Sequence, residues 1–186
     1  DSTPDYFEKL CISWDMTFGS EKKSADFVVG AVYGKRGSSI YLVDKVRGQW
    51  DFPETIAQFK RLADKHPKAS AKLVEAKANG QAVIDSLKKD IPGIIPIVPT
   101  SSKASRLASC QPLYEAGNIF FPHPTIAPWI GQHIDELVGF PNAKNDDSVD
   151  AETQAIQWLI GSNVGKFSDT YLDFESSGFD NGKINW

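Results

Sequence analysis

Five carboxylates stand out by type and placement: Asp15 inside an alternating run, Glu75 at the end of an apolar run, and Asp146, Asp147 and Asp150 within "KNDDSVDA". Each has a bland reading. Asp15 falls on the polar side of a strand and could face solvent, and Glu75 precedes a helical segment, where acids are commonplace. Asp146, Asp147 and Asp150 could cap a helix and meet the positive end of its dipole. One Asp suffices for that task, whereas three so close repel one another unless they are well hydrated or gathered round a cation. Brought together from separate elements, the carboxylates are hard oxygen donors suited to Mg²⁺ or Mn²⁺. Two such ions about 4 Å apart form the clamp used for in-line displacement at a phosphodiester.

Convergence depends on the elements that carry these residues. "LCISWDMTF" alternates, with Leu10, Ile12, Trp14 and Met16 on one side and Cys11, Ser13, Asp15 and Thr17 on the other, and predicts a strand. "DFVVGAVYG" and "SSIYLVDKV", joined by "KRG", extend it to a three-stranded antiparallel meander. The period then switches to helical in "FPETIAQFKRLADKHP", with Ile56, Phe59, Leu62 and Ala63 on one face. "AKLVEAK" reads as a buried strand, "NGQAVIDSLKKD" as a helix and "IIPIVP" as an extended segment, giving the order βββαβαβ. Helical patterns follow in "SKASRLASCQPLYEAG", "TIAPWIGQHIDELVGF" and "SVDAETQAIQWLIG", with a short "NIFF" strand after the first. If the meander's first strand is central, the fourth lies parallel beside it and the closing helix crosses their ends. Asp15, Glu75 and the acidic cluster then meet. The phase of Val149, Ile156 and Ile160 would bring Asp146 nearer the packed face and turn Asp147 away. A phase change at the helix start reverses that, so both stay candidates, with Asp150 the lesser one.

Three stretches, "SWDMTFGSEKKSADFVVGAVYG", "LVEAKANGQAVIDSL" and "KNDDSVDAETQAIQWL", occur in order, with "SSKASRLASCQPLYEAGNIFFP" between the last two. Together they resemble the nuclease domain of tailed-bacteriophage large terminases over roughly residues 10 to 160. The resemblance implies an α/β, ribonuclease H-like fold: a mixed sheet of five-stranded type flanked by helices, with extra C-terminal helices. It also implies two divalent ions, Mg²⁺ or Mn²⁺, with Asp15 bridging them, Glu75 binding one, Asp146 or Asp147 supplying the third ligand, and water attacking DNA. Lys103 and Arg106, on one face of a helix start, would contact the DNA backbone, although a solvated face is an equal reading. Lys35 and Arg36, at a hairpin tip, could hold DNA or only solubilise the turn. Lys77 could touch the scissile phosphate or neutralise the acids. Asn145 stands where many relatives have a His before the Asp pair. The implied partners are double-stranded DNA, an N-terminal ATPase motor, the small terminase subunit and the capsid portal, all in the host cytoplasm. On this reading the chain is an excised nuclease domain, residues 1–161, followed by a loosely structured tail, 162–186.

Composition sets wide bounds. The chain has 186 residues, is 41% hydrophobic and carries 11 Phe and 5 Trp, enough for one core. A net charge of −4 argues against coating nucleic acid by bulk positive charge but leaves room for a local basic groove. Cys11 and Cys110 are too few for a disulfide framework and read as small core residues. No apolar run nears the roughly 18 residues of a membrane span. "GAVYGKRG" lacks the spacing and the Ser or Thr of a phosphate-binding loop, so ATP hydrolysis is not expected. His66, His123 and His133 are dispersed, without metal-ligand spacing. Two alternatives stay open beside the nuclease: a non-catalytic docking module of a packaging machine, and a junction-resolving or transposase-like nuclease of the same fold.

Overall fold

The computed structural model describes residues 4–16, 27–76 and 78–161, with only the backbone of residues 78 and 79. Lys77 and the expected tail, 162–186, lie outside the described residues. The first three strands, β1 (Lys9–Met16), β2 (Val28–Arg36) and β3 (Ser39–Gly48), form the expected antiparallel meander. Gly37 makes the β2–β3 turn with φ 58°, a left-handed conformation that glycine adopts without steric cost. Helix α1 (Phe52–Lys65) begins at Asp51, whose side chain accepts from Glu54 N–H, and buries Phe59, Leu62 and Ala63. Strand β4 (Ala71–Glu75), helix α2 (Ala78–Leu87) and strand β5 (Ile94–Ile97) follow, β4 pairing in parallel with both β1 and β5. Pro96 fits β5 because that strand lies at the sheet edge, where a missing N–H breaks no ladder.

Helices α3 (Lys103–Glu115), α4 (Ile130–Gly139) and α5 (Asp147–Leu159) complete the chain, with β6 (Ile119–Phe120) between α3 and α4. The "NIFF" segment pairs Ile119 and Phe120 in parallel with Ile40 and Tyr41, so the sheet has six strands in the order β5-β4-β1-β2-β3-β6 where five were expected. The fold class is α/β, as expected. Each face of the sheet has its own core. Ile12, Trp14 and Val74 pack with Phe59 of α1 and Val83 of α2 on one face. Cys11, Tyr33 and Leu73 pack with Cys110, Ile130 and Ile156 from α3, α4 and α5 on the other. Both cysteines are buried and free. No helix among the described residues is long and apolar enough to cross a membrane.

This two-sided burial decides the fate of Asp15. Because β1 has helices over both faces, both of its alternating sets are buried, and Asp15 is only 8% exposed. The solvated-strand reading of Asp15 therefore does not hold. Helix α5 is also buried nearly all round: Glu152, Thr153, Gln154 and Gln157 are inside with Val149, Ile156 and Leu159. Ile160, expected among its packing residues, is 40% exposed because it lies at the helix C-cap.

Candidate metal centre

The parallel register of β1 and β4 runs through Trp14 and Val74, so the next residues, Asp15 and Glu75, stand side by side facing α5. The chain beyond Glu75 is held by Ala76 N–H, which donates to Ile97 O at 2.7 Å. Helix α2 then turns back so tightly that a Cβ at Gly80 would lie 1.8 Å from the Glu75 carbonyl oxygen. Only glycine permits that approach. The third acid comes from the first turn of α5. One carboxylate oxygen from each of Asp15, Glu75 and Asp150 lies within 4.8 Å of the others, and all three residues are buried.

Burial, followed by the charges of Asp150, Asp147 and Glu75, holds the Asp15 carboxyl well above its ordinary range, while Lys103 opposes the shift. A buried set of oxygen donors that repel one another is chemically matched to a hard divalent cation. Among three donors on one octahedral Mg²⁺ at most one pair stands across the ion, about 4.2 Å apart, and the others are about 3 Å apart, so the three side chains must draw in to hold a single ion. A cavity of about 10 Å³ lies beside them, lined by Glu75, Arg106, Asp150, Gln154 and Gln157. It is roughly the size of one water.

Two cations reach into the same acids. Lys103 Nζ lies 2.8 Å from Asp146 Oδ1 and 2.6 Å from Asp150 Oδ2, and Arg106 pairs with Asp150 Oδ1. Burial depresses the Lys103 ammonium, but hydrogen bonds to Asp146 and Asp150 carry it above its ordinary value. Arg106 also donates to Ser101 O at 2.9 Å.

The expected acids thus separate by position. Asp146 is the N-cap of α5 but makes no side-chain capping bond, and its side chain is 47% exposed beside Lys103. Asp147 is turned inward, with Oδ2 3.9 Å from Arg47 Nη2, the reverse of the phase extrapolated from Val149 and Ile160. Burial and the charge of Glu136, against the pull of Arg47, push Asp147 up to about 6. Asp150 is the one of the three that meets Asp15 and Glu75. Lys103 and Arg106 do share the α5-facing side of α3, but they face carboxylates. Lys35 and Arg36 flank the β2–β3 turn, well along β2 from the Asp15 end: Lys35 pairs with Lys9, whereas Asp15 pairs with Val29. Asn145 makes no hydrogen bond or ion pair with the site among the described residues.

Sequence reading missed a buried polar network that anchors α5. Glu152, 0% exposed, accepts from Tyr33 Oη at 3.0 Å and from Tyr114 Oη, and its Oε2 lies 2.5 Å from His133 Nε2. Lys45 Nζ lies 3.2 Å from His133 Nδ1 and donates to Ser148 Oγ at 2.7 Å; burial lowers its ammonium to about 8. Arg47 Nη2 pairs with Glu136 Oε1 at 2.9 Å, and Glu136 Oε2 accepts from Ser148 N–H at 3.2 Å. Gln154 Nε2 donates to Ser13 Oγ at 2.9 Å, tying α5 to the strand that carries Asp15. The one local signal was the pair Lys45 and Arg47, cations two apart on a strand whose intervening residue is apolar.

A model of the terminase RNase H-like domain matches residues 12–158, and the chain belongs to that family. Among solved structures, it is similar to the large terminase nuclease of the thermophilic phage G20c with bound zinc, at 20% identity, a TM-score of 0.62, and coverage of 82% of this chain and 81% of that one. The same nuclease with bound magnesium gives 18% identity, a TM-score of 0.61 and 82% coverage of each chain. The large terminase of a second thermophilic bacteriophage is 13% identical, with a TM-score of 0.66; the match covers 85% of this chain but 41% of that one. At these identities the likeness is one of fold. No curated protein sequence matches the chain.

Proposed function

We propose that this domain is a metal-dependent endonuclease that cuts double-stranded concatemeric viral DNA during genome packaging. The observation that carries the reading is the meeting of Asp15, Glu75 and Asp150, drawn from two parallel strands and a helix start, with their oxygens within 4.8 Å. It draws support from the family match and from the G20c nuclease bound to zinc and to magnesium. Two divalent ions, Mg²⁺ or Mn²⁺, supply an activated water and a counter-charge for the leaving oxygen. Asp15, Glu75 and Asp150 would hold the ions, and Asp147 and Asp146 extend the acidic surface towards Arg47 and solvent. Lys103 and Arg106 balance Asp150 before a cation is bound and, once released from it, face the DNA backbone. Lys35 and Arg36 hold the duplex at a distance from the cut. Lys77, two residues beyond Glu75, serves the phosphate being cleaved.

The ATPase motor, small terminase subunit and portal are the expected partners, and the host cytoplasm is the expected site of action. The 41% coverage of a longer large terminase fits a nuclease that works as one part of a larger protein. The test is plasmid digestion with Mn²⁺, Mg²⁺ or EDTA, comparing wild type with Asp15→Asn. Metal-dependent linearisation that the variant loses while still folded supports the proposal. Metal-independent cutting, or none under any condition, overturns it. The pairing of both Asp146 and Asp150 with Lys103 favours one second reading, a docking module in which these acids serve only as ion-pair partners. An unchanged melting temperature on adding Mn²⁺ would support that reading.

A further inference from the structure

The register of the sheet leads from the acidic site to a second feature. Asp15 pairs with Val29, and Val29 with Arg47, so Arg47 projects from the same face two strands away, about 10 Å along the sheet. At Arg47 the sheet meets a cleft of about 450 Å³ that wraps the outer edge of β3. Among the described residues β6 pairs only with Ile40 and Tyr41, leaving that edge uncovered near Arg47. Trp50 and Gln58 line the cleft from the α1 side, and Trp129 and Gln132 from the α4 side. The Arg47 guanidinium lies 3.7 Å from the Phe27 ring centroid, and Lys45 Nζ lies 6.0 Å from that of Trp129.

Chemistry narrows what such a cleft takes. Its volume is that of a small-molecule pocket. Glu136, 2.9 Å from Arg47 Nη2, and Asp147, 3.9 Å from it, would repel an incoming phosphate, and Lys45 already donates to Ser148 Oγ. A planar, neutral heterocycle escapes that repulsion. It finds indole faces on which to stack and glutamine amides that can both donate and accept at its edge. We infer that the cleft holds an unstacked nucleobase of the DNA strand, one or two nucleotides from the scissile phosphate. The inference rests on the nuclease reading for the identity of that strand, but not for the binding itself. A base held there anchors the strand beside Asp15 without sequence readout, because every base presents a face to an aromatic ring.

The experiment measures fluorescence anisotropy of a labelled single-stranded oligothymidine and of a hairpin-capped duplex, both in EDTA so that no cleavage occurs. The single strand is expected to bind more tightly than the closed duplex. Trp129→Ala is expected to weaken single-strand binding roughly five- to 150-fold, and Trp129→Phe to restore it. Gln132→Ala, at an exposed position, tests the cleft should Trp129→Ala fail to fold, and is expected to weaken binding several-fold. Wild-type affinity in Gln132→Ala and in a folded Trp129→Ala overturns the inference. So does a wild-type protein that ignores the single strand, which would point instead to a peptide strand added along the open β3 edge. The two proposals fail separately. Base binding without metal-dependent cutting sinks the nuclease alone; cutting with unchanged binding in both variants sinks the cleft alone.

Discussion

Lys103 Nζ lies 2.6 Å from Asp150 Oδ2, so an acid that meets Asp15 and Glu75 is already neutralised from the other side by the chain's own ammonium. A divalent cation must compete with that ammonium. Lys103→Met is therefore expected to bind Mn²⁺ more tightly than wild type while lowering the melting temperature of the metal-free protein, which then loses the counter-charge. Titration calorimetry and thermal melts in EDTA read the two effects. Weaker Mn²⁺ binding in the variant would contradict this picture.

Replacing the acids singly ranks them by position. Asp15→Asn and Asp150→Asn are expected to lower cleavage roughly a hundredfold or more, as lost transition-state electrostatics do elsewhere. Asp146→Asn, half-exposed and outside the cluster, should have the smallest effect, with Asp147→Asn between. Asp15→Asn should also stabilise the metal-free protein at neutral pH, because it removes a buried carboxyl that the unfolded chain ionises far more readily. Initial rates of plasmid nicking and melts in EDTA check the order.

Stability without metal should fall as pH rises from about 5 to about 7. Asp147 is pushed up to about 6 and Asp15 well above its ordinary value, so the folded state binds protons more readily than the unfolded chain between the usual Asp value and those raised ones. Raising the pH through that window withdraws the advantage. The lowered Lys45 acts only above about 8, and the lowered Asp44 only below the ordinary Asp value. A melting temperature in EDTA that declines from pH 5 to 7, with a shallower decline in Asp147→Asn, is the expected result. Added Mn²⁺ should raise the melting temperature more at pH 7, where fewer protons compete.

Gly80→Ala tests the turn that fixes Glu75. A methyl group 1.8 Å from the Glu75 carbonyl oxygen must move α2 or the end of β4, at an expected cost of about 1–3 kcal/mol and a marked loss of cutting. Urea unfolding separates the two effects. A variant of wild-type stability and activity would mean that the turn does not position Glu75.

Glu152→Ala leaves the Tyr33, Tyr114 and His133 polar groups buried without their shared acceptor. It should cost about 3–5 kcal/mol, read as a lower urea midpoint at an unchanged slope.

The strand order, the central place of β1 and the neighbourhood of Asp15 and Glu75 were legible because alternation and the switch from period two to helical spacing are local signals. The sixth strand was visible as "NIFF", but its partner on β3 was not, since pairing partners are set by topology. At the acidic end of α5 the helical phase left Asp146 and Asp147 both open, and the structure turns Asp147 inward. Hydrophobic phase locates a helix face only when the opposite face is wet, and α5 is enclosed on nearly every side. Glu152 and Gln154, which look like solvent residues, answer Tyr33 and Ser13 across more than a hundred residues of chain. Asp150 was ranked last of the three Asp residues because nothing within its own stretch records those distant partners.

Those partners give α5 a setting that apolar contact alone could not. A helix held only by Val149, Ile156 and Leu159 could twist or slide by a fraction of a turn at little cost, and Asp150 would swing with it. The Gln154–Ser13 bond and the Glu152 hub work like dowels, admitting one rotation and one height. Asp15 and Glu75 are fixed by the ladder of the sheet; the third corner is aligned by these side-chain pegs. The ladder can therefore keep Asp15 and Glu75 in register while the triangle is spoiled, because whatever loosens the pegs of α5 moves Asp150 first.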